Sequence, residues 1–147
     1  MSLIIPFPEP DFKYRDTDGL RYIFDGLRKK YIRLSPEEWV RQNLLAALVR
    51  VFDYPAGLIA VEKELKINQL KRRYDAVVYD RERNPWMLIE CKAPHIVLNE
   101  ATLMQTLNYY RQLQCPYVLI SNGQSNYLAA IDSQSFRWLD AVPAYNF

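Results

Sequence analysis

Two apolar runs with a helix between them constrain this chain more than any other feature. "PWMLIECKA" (85–93) reads as a strand. "LNEATLMQTLNYYRQL" (98–113) has helical spacing through Leu103, Leu107 and Tyr110, and "PYVLISNG" (116–123) is a further buried strand. Pro94 and Pro116 punctuate the junctions. A strand, helix, strand succession in one sheet implies a right-handed parallel crossover, so the chain must build an α/β layer structure.

The segments before and after extend the sheet. "LIAVEKELKI" (58–67) and "RRYDAVVYD" (72–80) are strand candidates, and the turn-like "RERN" joins the second of them to 85–93 as an antiparallel hairpin. Paired positions in a hairpin sum to a constant. If Tyr79 faces Trp86, Val77 faces Leu88 and Asp75 faces Glu90. "NYLAAID" returns after the "NGQS" turn as a last strand, completing a mixed central sheet flanked by helices.

The first helix has its start signals written out in "SPEEWVRQNLLAALVRVF": Ser35 as N-cap, Pro36 at the first helical position and Glu38 as capping-box partner. Val40, Leu44, Leu48 and Val51 form an apolar stripe; Glu37 falls on its line and Glu38 to the side. Residues 1–34 are expected to be an arm packed on the core, Pro-rich at first and then a β-hairpin around Asp18-Gly19, with 35–147 forming the main domain. The basic "LRKKYIR" after the hairpin reads as a solvated face.

Composition removes several function classes. The 147 residues suffice for one domain with a substantial core, and 19 Lys and Arg against 17 Asp and Glu leave +2, so no general basic character announces a nucleic-acid partner. His95 is the only histidine, which excludes histidine-rich metal sites and two-histidine phosphodiesterase chemistry. Cys91 and Cys115 fit neither a disulfide framework nor a metal-ligand spacing. The opening "MSLIIPFPEP" breaks at Pro6 and Pro8 and is no signal peptide, and nowhere do 18 apolar residues run together, so a cytoplasmic protein is expected.

What remains is carboxylate and lysine chemistry. The hairpin register sets Asp75, Glu90 and Lys92 on one face, with Glu37 aimed at the sheet from the helix. Like charges opposite each other destabilise a ladder, and isolated buried carboxylates are costly. A divalent cation neutralises them: hard oxygen donors suit Mg²⁺, with Mn²⁺ as substitute. Lys92 then orients water or stabilises charge on a phosphate. The bland alternative is an Asp75–Lys92 ion pair at a sheet rim. "KRRY" (71–74) is either a phosphate grip or a solvated loop.

An acid in one strand, a short hairpin, then Glu-x-Lys in the next resembles the PD-(D/E)xK nuclease superfamily. "PEEWVRQ", "RRYDAVVYD", "LIECKAP" and "SNG" are similar to the N-terminal nuclease domain of type I restriction enzyme R subunits, in a small stand-alone form without a helicase motor; the similarity covers about residues 20–145. Tyr74 stands where a proline commonly precedes the acid. The resemblance implies a restriction-endonuclease-like α/β fold and Mg²⁺-dependent DNA hydrolysis. It also implies Asp75, Glu90 and the Cys91 backbone carbonyl as metal ligands, with Lys92 catalytic. Related nucleases add an acid from the first helix, here Glu37 or Glu38, and a Gln-x-x-x-Tyr pair, here Gln105 and Tyr109. DNA is the expected partner, with a second copy or restriction-system subunits as protein partners and no membrane. The rival expectation is an inactive nucleic-acid-binding or assembly module of a restriction or defence complex.

Overall fold

The computed structural model describes residues 2–67, 69–132 and 134–145. A six-stranded sheet runs in the order β4 (Ile59–Ile67), β5 (Leu70–Tyr79), β6 (Pro85–Cys91), β7 (Tyr117–Ser121), β8 (Asn126–Ile131), β9 (Phe136–Leu139). Every neighbouring pair is antiparallel except β6 and β7, whose parallel pairing requires the crossover through α2 (Glu100–Tyr110). The crossover predicted from the two apolar runs is therefore present.

The sheet is covered on both faces. On one side α1 (Pro36–Arg50) sets Val40, Leu44 and Leu48 against Ala76, Val78, Met87, Ile89 and Leu119. On the other, Leu103, Leu107 and Tyr110 of α2 meet Tyr74, Val77, Leu88, Val118 and Ile120. Central strands buried on both faces read as continuous apolar runs, which is why "WMLI" and "YVLI" stand out so plainly. The N-terminal segment also joins the α1 side: Leu3 bridges to Asn126, and Leu3 and Ile5 are buried there.

A separate three-stranded antiparallel sheet precedes α1, formed by β1 (Tyr14–Thr17), β2 (Leu20–Asp25) and β3 (Lys30–Arg33). Its hairpin turns on Asp18 and Gly19, both at positive φ (54° and 78°), as a two-residue turn of the primed type requires. The basic run ends in β3, and Lys29, Lys30 and Arg33 are exposed as expected of a solvated face; Arg28 departs from it, largely buried and engaged with Asp25 and Glu38.

Three other expectations change. NYLAAID is not the last strand, because β9 pairs beyond it. The hairpin register holds through Ala76↔Ile89, Val77↔Leu88 and Val78↔Met87, but a bulge after Val78 pairs Tyr79 with Pro85 rather than Trp86. On α1, Glu37 is exposed whereas Glu38 is 3% exposed. The single-stripe reading fails because α1 is covered on two flanks: Glu38, Arg41, Gln42 and Leu45 are buried alongside Val40, Leu44 and Leu48.

Candidate functional site

The site is built where β5 and β6 part. Their ladder stops at Ala76↔Ile89, although both strands continue, and the Asp75 carboxylate enters the gap: its Oδ2 accepts from the Cys91 N–H at 2.7 Å. In an extended strand the N–H and C=O of one residue point the same way, so the Cys91 carbonyl opens toward β5 as well.

Asp75 reaches this position through a break in strand alternation. Ala76 packs on the α1 side and Tyr74 on the α2 side, though side chains two apart in a strand should share a face. In the β4–β5 register, Glu62 stands opposite Asp75 between the pairs Val61↔Ala76 and Lys63↔Tyr74, and Glu62 has φ +53°. A glutamate in the left-handed region inside a strand is strained, and such strain gathers where geometry serves a site. Here it accompanies the turning of Asp75 toward α1, where Arg41 Nη1 lies 3.6 Å from its Oδ1.

The one-face arrangement expected for Asp75, Glu90 and Lys92 is thereby altered. Glu90 keeps the alternation of Leu88 and takes partners from the α2 layer: Arg72 Nη2 donates to its Oε1 at 2.8 Å and the Tyr110 hydroxyl to its Oε2 at 3.1 Å. Lys92 Nζ is 3.6 Å from the same Oε1. The two acids thus flank the Cys91 main chain and draw their partners from opposite layers. The Asp75–Lys92 rim pair, the bland alternative, is not what forms, since Lys92 turns to Glu90.

Charge explains the state of each group. Burial pushes the Asp75 carboxyl above the usual aspartate range; the Cys91 N–H and Arg41 pull it down, and the Glu37 and Glu90 charges push it further up. Glu37, exposed at the start of α1, therefore acts on Asp75 through its field. Burial would lower the Arg41 pKa, yet the hydrogen bond and charge of Glu38, with Glu62 and Asp75, hold it above the ordinary value. Burial, then Glu90, raises the Tyr110 phenol, so the donor to Glu90 stays protonated.

Behind Asp75 lies a buried ion network. Glu38 pairs with Arg41, accepts from Arg28 at 2.9 Å and 3.0 Å and from Gln42 at 2.9 Å, while Arg28 pairs with Asp25. Glu62 forms an ion pair with Arg28 at 3.2 Å and accepts from Arg41 at 3.3 Å. Ser35 Oγ accepts from the Glu38 N–H at 3.0 Å, so the cap is made, but the Glu38 carboxylate serves the arginines. The small sheet, α1, β4 and Asp75 are thereby joined through charges.

The remaining predicted residues lie apart. Gln105 is exposed on the face of α2 turned from Leu103 and Leu107, and among the described residues no hydrogen bond ties it to Glu90 or Lys92. Tyr109 is half-buried beneath Arg72, whose guanidinium sits 5.0 Å from its ring. His95 is exposed in the loop after Lys92. The "SNG" segment pins the loop that follows the lysine, because Lys92 N–H donates to Ser121 O at 2.8 Å and Asn122 Nδ2 donates to Ile96 O at 2.8 Å. The KRRY residues lie in β5, where Lys71 meets Glu64, Arg73 meets Glu62 and Arg72 meets Glu90. Sequence reasoning did not single out Arg41 or Tyr110 as site residues, and held Arg72 only as part of the KRRY run, either a phosphate grip or a solvated loop. For Arg72 the signal is its parity with Tyr74 within a recognisable strand; for Arg41, its place one turn after Glu38.

Two carboxylates and a main-chain carbonyl are the donor set a small hard cation takes, since Mg²⁺ uses one or two carboxylates and keeps several waters. Among the described residues no three acidic, histidine or cysteine side chains already converge as a ligand cage. The donors fit in kind, and among the described residues Asp75 Oδ1 has no cation closer than Arg41 at 3.6 Å.

A six-stranded mixed sheet with a helix on each face and a forked hairpin defines an α/β sandwich architecture. The whole fold is shared with a crystal structure from Anabaena variabilis ATCC 29413 described as "a putative nuclease belonging to DUF820": TM-score 0.50, 12% identity, covering 95% of this chain and 84% of that one. Residues 36–143 match the family model for the Type I restriction enzyme R protein N terminus (HSDR_N). The chain belongs to that family, as "PEEWVRQ" and "LIECKAP" led us to expect. No curated protein matches it in sequence.

Proposed function

We propose that this chain is a metal-dependent nuclease that hydrolyses DNA phosphodiester bonds. The observation that carries the reading is the fork itself, where Asp75 of β5 is hydrogen-bonded to the main chain of Glu90-Cys91-Lys92 in β6. Asp75, Glu90 and the Cys91 carbonyl are the residues that would hold Mg²⁺ or Mn²⁺, with the Glu37 carboxylate adding to the negative field. Such an ion, when bound, acidifies water and offsets charge on a phosphoryl oxygen.

The chain's own groups do the rest. Lys92, 40% exposed at the rim and anchored to Ser121 through its main chain, donates to an incoming water or to a non-bridging phosphate oxygen. As the water oxygen attacks phosphorus and a P–O ester bond breaks, Lys92 stabilises the charge that develops. Tyr110 keeps Glu90 in one rotamer, and the Cys91 N–H does the same for Asp75. One observation favours the second reading, an inactive binding or assembly module: Glu90 already has Arg72 and Lys92 beside it, and a satisfied carboxylate has no electrostatic need of a metal.

Cleavage of plasmid DNA with Mn²⁺, Mg²⁺ or EDTA separates the two. Wild type is expected to cleave only with the ion. Lys92→Met, which keeps length and packing, is expected to lose at least about 100-fold. Wild-type rates in Lys92→Met would remove the lysine from the chemistry, and no cleavage by wild type under any of these conditions would leave the module reading.

A further inference from the structure

Within the KRRY run, which the sequence left open as a phosphate grip or a solvated loop, Arg72 holds a place of its own. Its guanidinium lies over three rings, 5.0 Å from Tyr109, 5.3 Å from Tyr110 and 5.7 Å from Tyr74, and donates to Glu90 Oε1 at 2.8 Å. The tyrosines fix where the cation sits, because a planar guanidinium stacks on aromatic faces while its edge stays free to donate. Its side chain is 37% exposed, unlike Arg41 at 7%, so this arginine faces both the acid and the solvent.

We propose that Arg72 is a phosphate-binding residue for the DNA backbone, held in reserve by Glu90 until a divalent cation takes that carboxylate. Without the ion, Glu90 is the strongest acceptor within reach. With the ion on Glu90, the caged guanidinium keeps its position but loses its partner, and a phosphate, which accepts two parallel N–H bonds, replaces it. This rests on the metal-site reading of Asp75 and Glu90.

Two measurements on the full chain test it, with Arg72→Gln and the charge-keeping Arg72→Lys beside wild type. In calorimetric titration with Mn²⁺ alone, Arg72→Gln should bind roughly 2- to 5-fold more tightly, the scale of a partly exposed pair, and Arg72→Lys close to wild type. Binding of a labelled DNA duplex is then followed against salt, with non-cleaving Ca²⁺ and with EDTA. In Ca²⁺ the salt slope of Arg72→Gln should be about one contact shallower than wild type; in EDTA the slopes should coincide. A merely structural arginine lowers affinity without that ion-dependent change in slope.

Unchanged or weaker Mn²⁺ binding in Arg72→Gln, or a slope difference of the same size in EDTA, overturns the proposal and leaves the metal site standing. The same holds for a wild type that binds Mn²⁺ but no DNA. A wild type that binds no Mn²⁺, with Arg72→Gln equally inert, defeats both readings; Mn²⁺ binding that emerges only in Arg72→Gln supports the competition.

Discussion

Asp75 is the residue whose chemistry is most exposed to test. Its carboxyl is raised above the unfolded value, first by burial, so ionising it opposes folding. Its contribution favours the folded state at low pH and is withdrawn as pH rises through the folded value. Asp75→Asn, which keeps an oxygen for the Cys91 N–H, should therefore melt at least as high as wild type near pH 7 without divalent ion, and the advantage should shrink as pH falls through the acid range. Adding Mg²⁺ or Mn²⁺ should raise the wild-type melting temperature and leave the variant unmoved. A variant that melts lower at neutral pH and recovers in acid would reverse the sign. The sequence placed Asp75 against Glu-x-Lys through simple hairpin arithmetic. It hid the turn of Asp75 toward α1, because nothing in "AVEKE" marks Glu62 as a left-handed residue.

Among the elements, α1 separates two adjacent glutamates that the sequence ranked the other way. Glu38 is buried between Arg28 and Arg41, whereas Glu37 is exposed and acts on Asp75 only through its charge. Glu38→Gln removes the acid that Arg28 and Arg41 share, leaving them Asp25, Glu62 and Asp75, and should cost about 3 kcal/mol in denaturant unfolding. Ser35→Ala should cost about 1 kcal/mol for the cap, and Glu37→Gln far less than either. Equal losses at 37 and 38 would mean that the arginine network contributes little. Helix start, N-cap and apolar stripe were all legible because they follow from local geometry. Which glutamate is inside was not, since it depends on a second buried flank lying against a distant strand pair. The same reason hid β3 and β9: short strands with charged residues acquire their identity from the partner they pair with.

At the scale of the whole molecule, two layers meet at the fork and each supplies an arginine to one acid: α1 gives Arg41 to Asp75, and β5, backed by α2, gives Arg72 to Glu90. Among the described residues no helix is long and apolar enough to cross a membrane. The crossover and the mixed sheet were readable because buried strands announce themselves; the pairing of acids with arginines was not, since it joins residues far apart in the chain. The central claim is that this fork takes a divalent cation. A crystal soaked in Mn²⁺ and measured at the manganese absorption edge tests it most directly. An anomalous peak bounded by Asp75, Glu90 and the Cys91 carbonyl, lost in Asp75→Asn, is the expected result; saturating Mn²⁺ with the fork empty, or a peak that survives in Asp75→Asn, would contradict it.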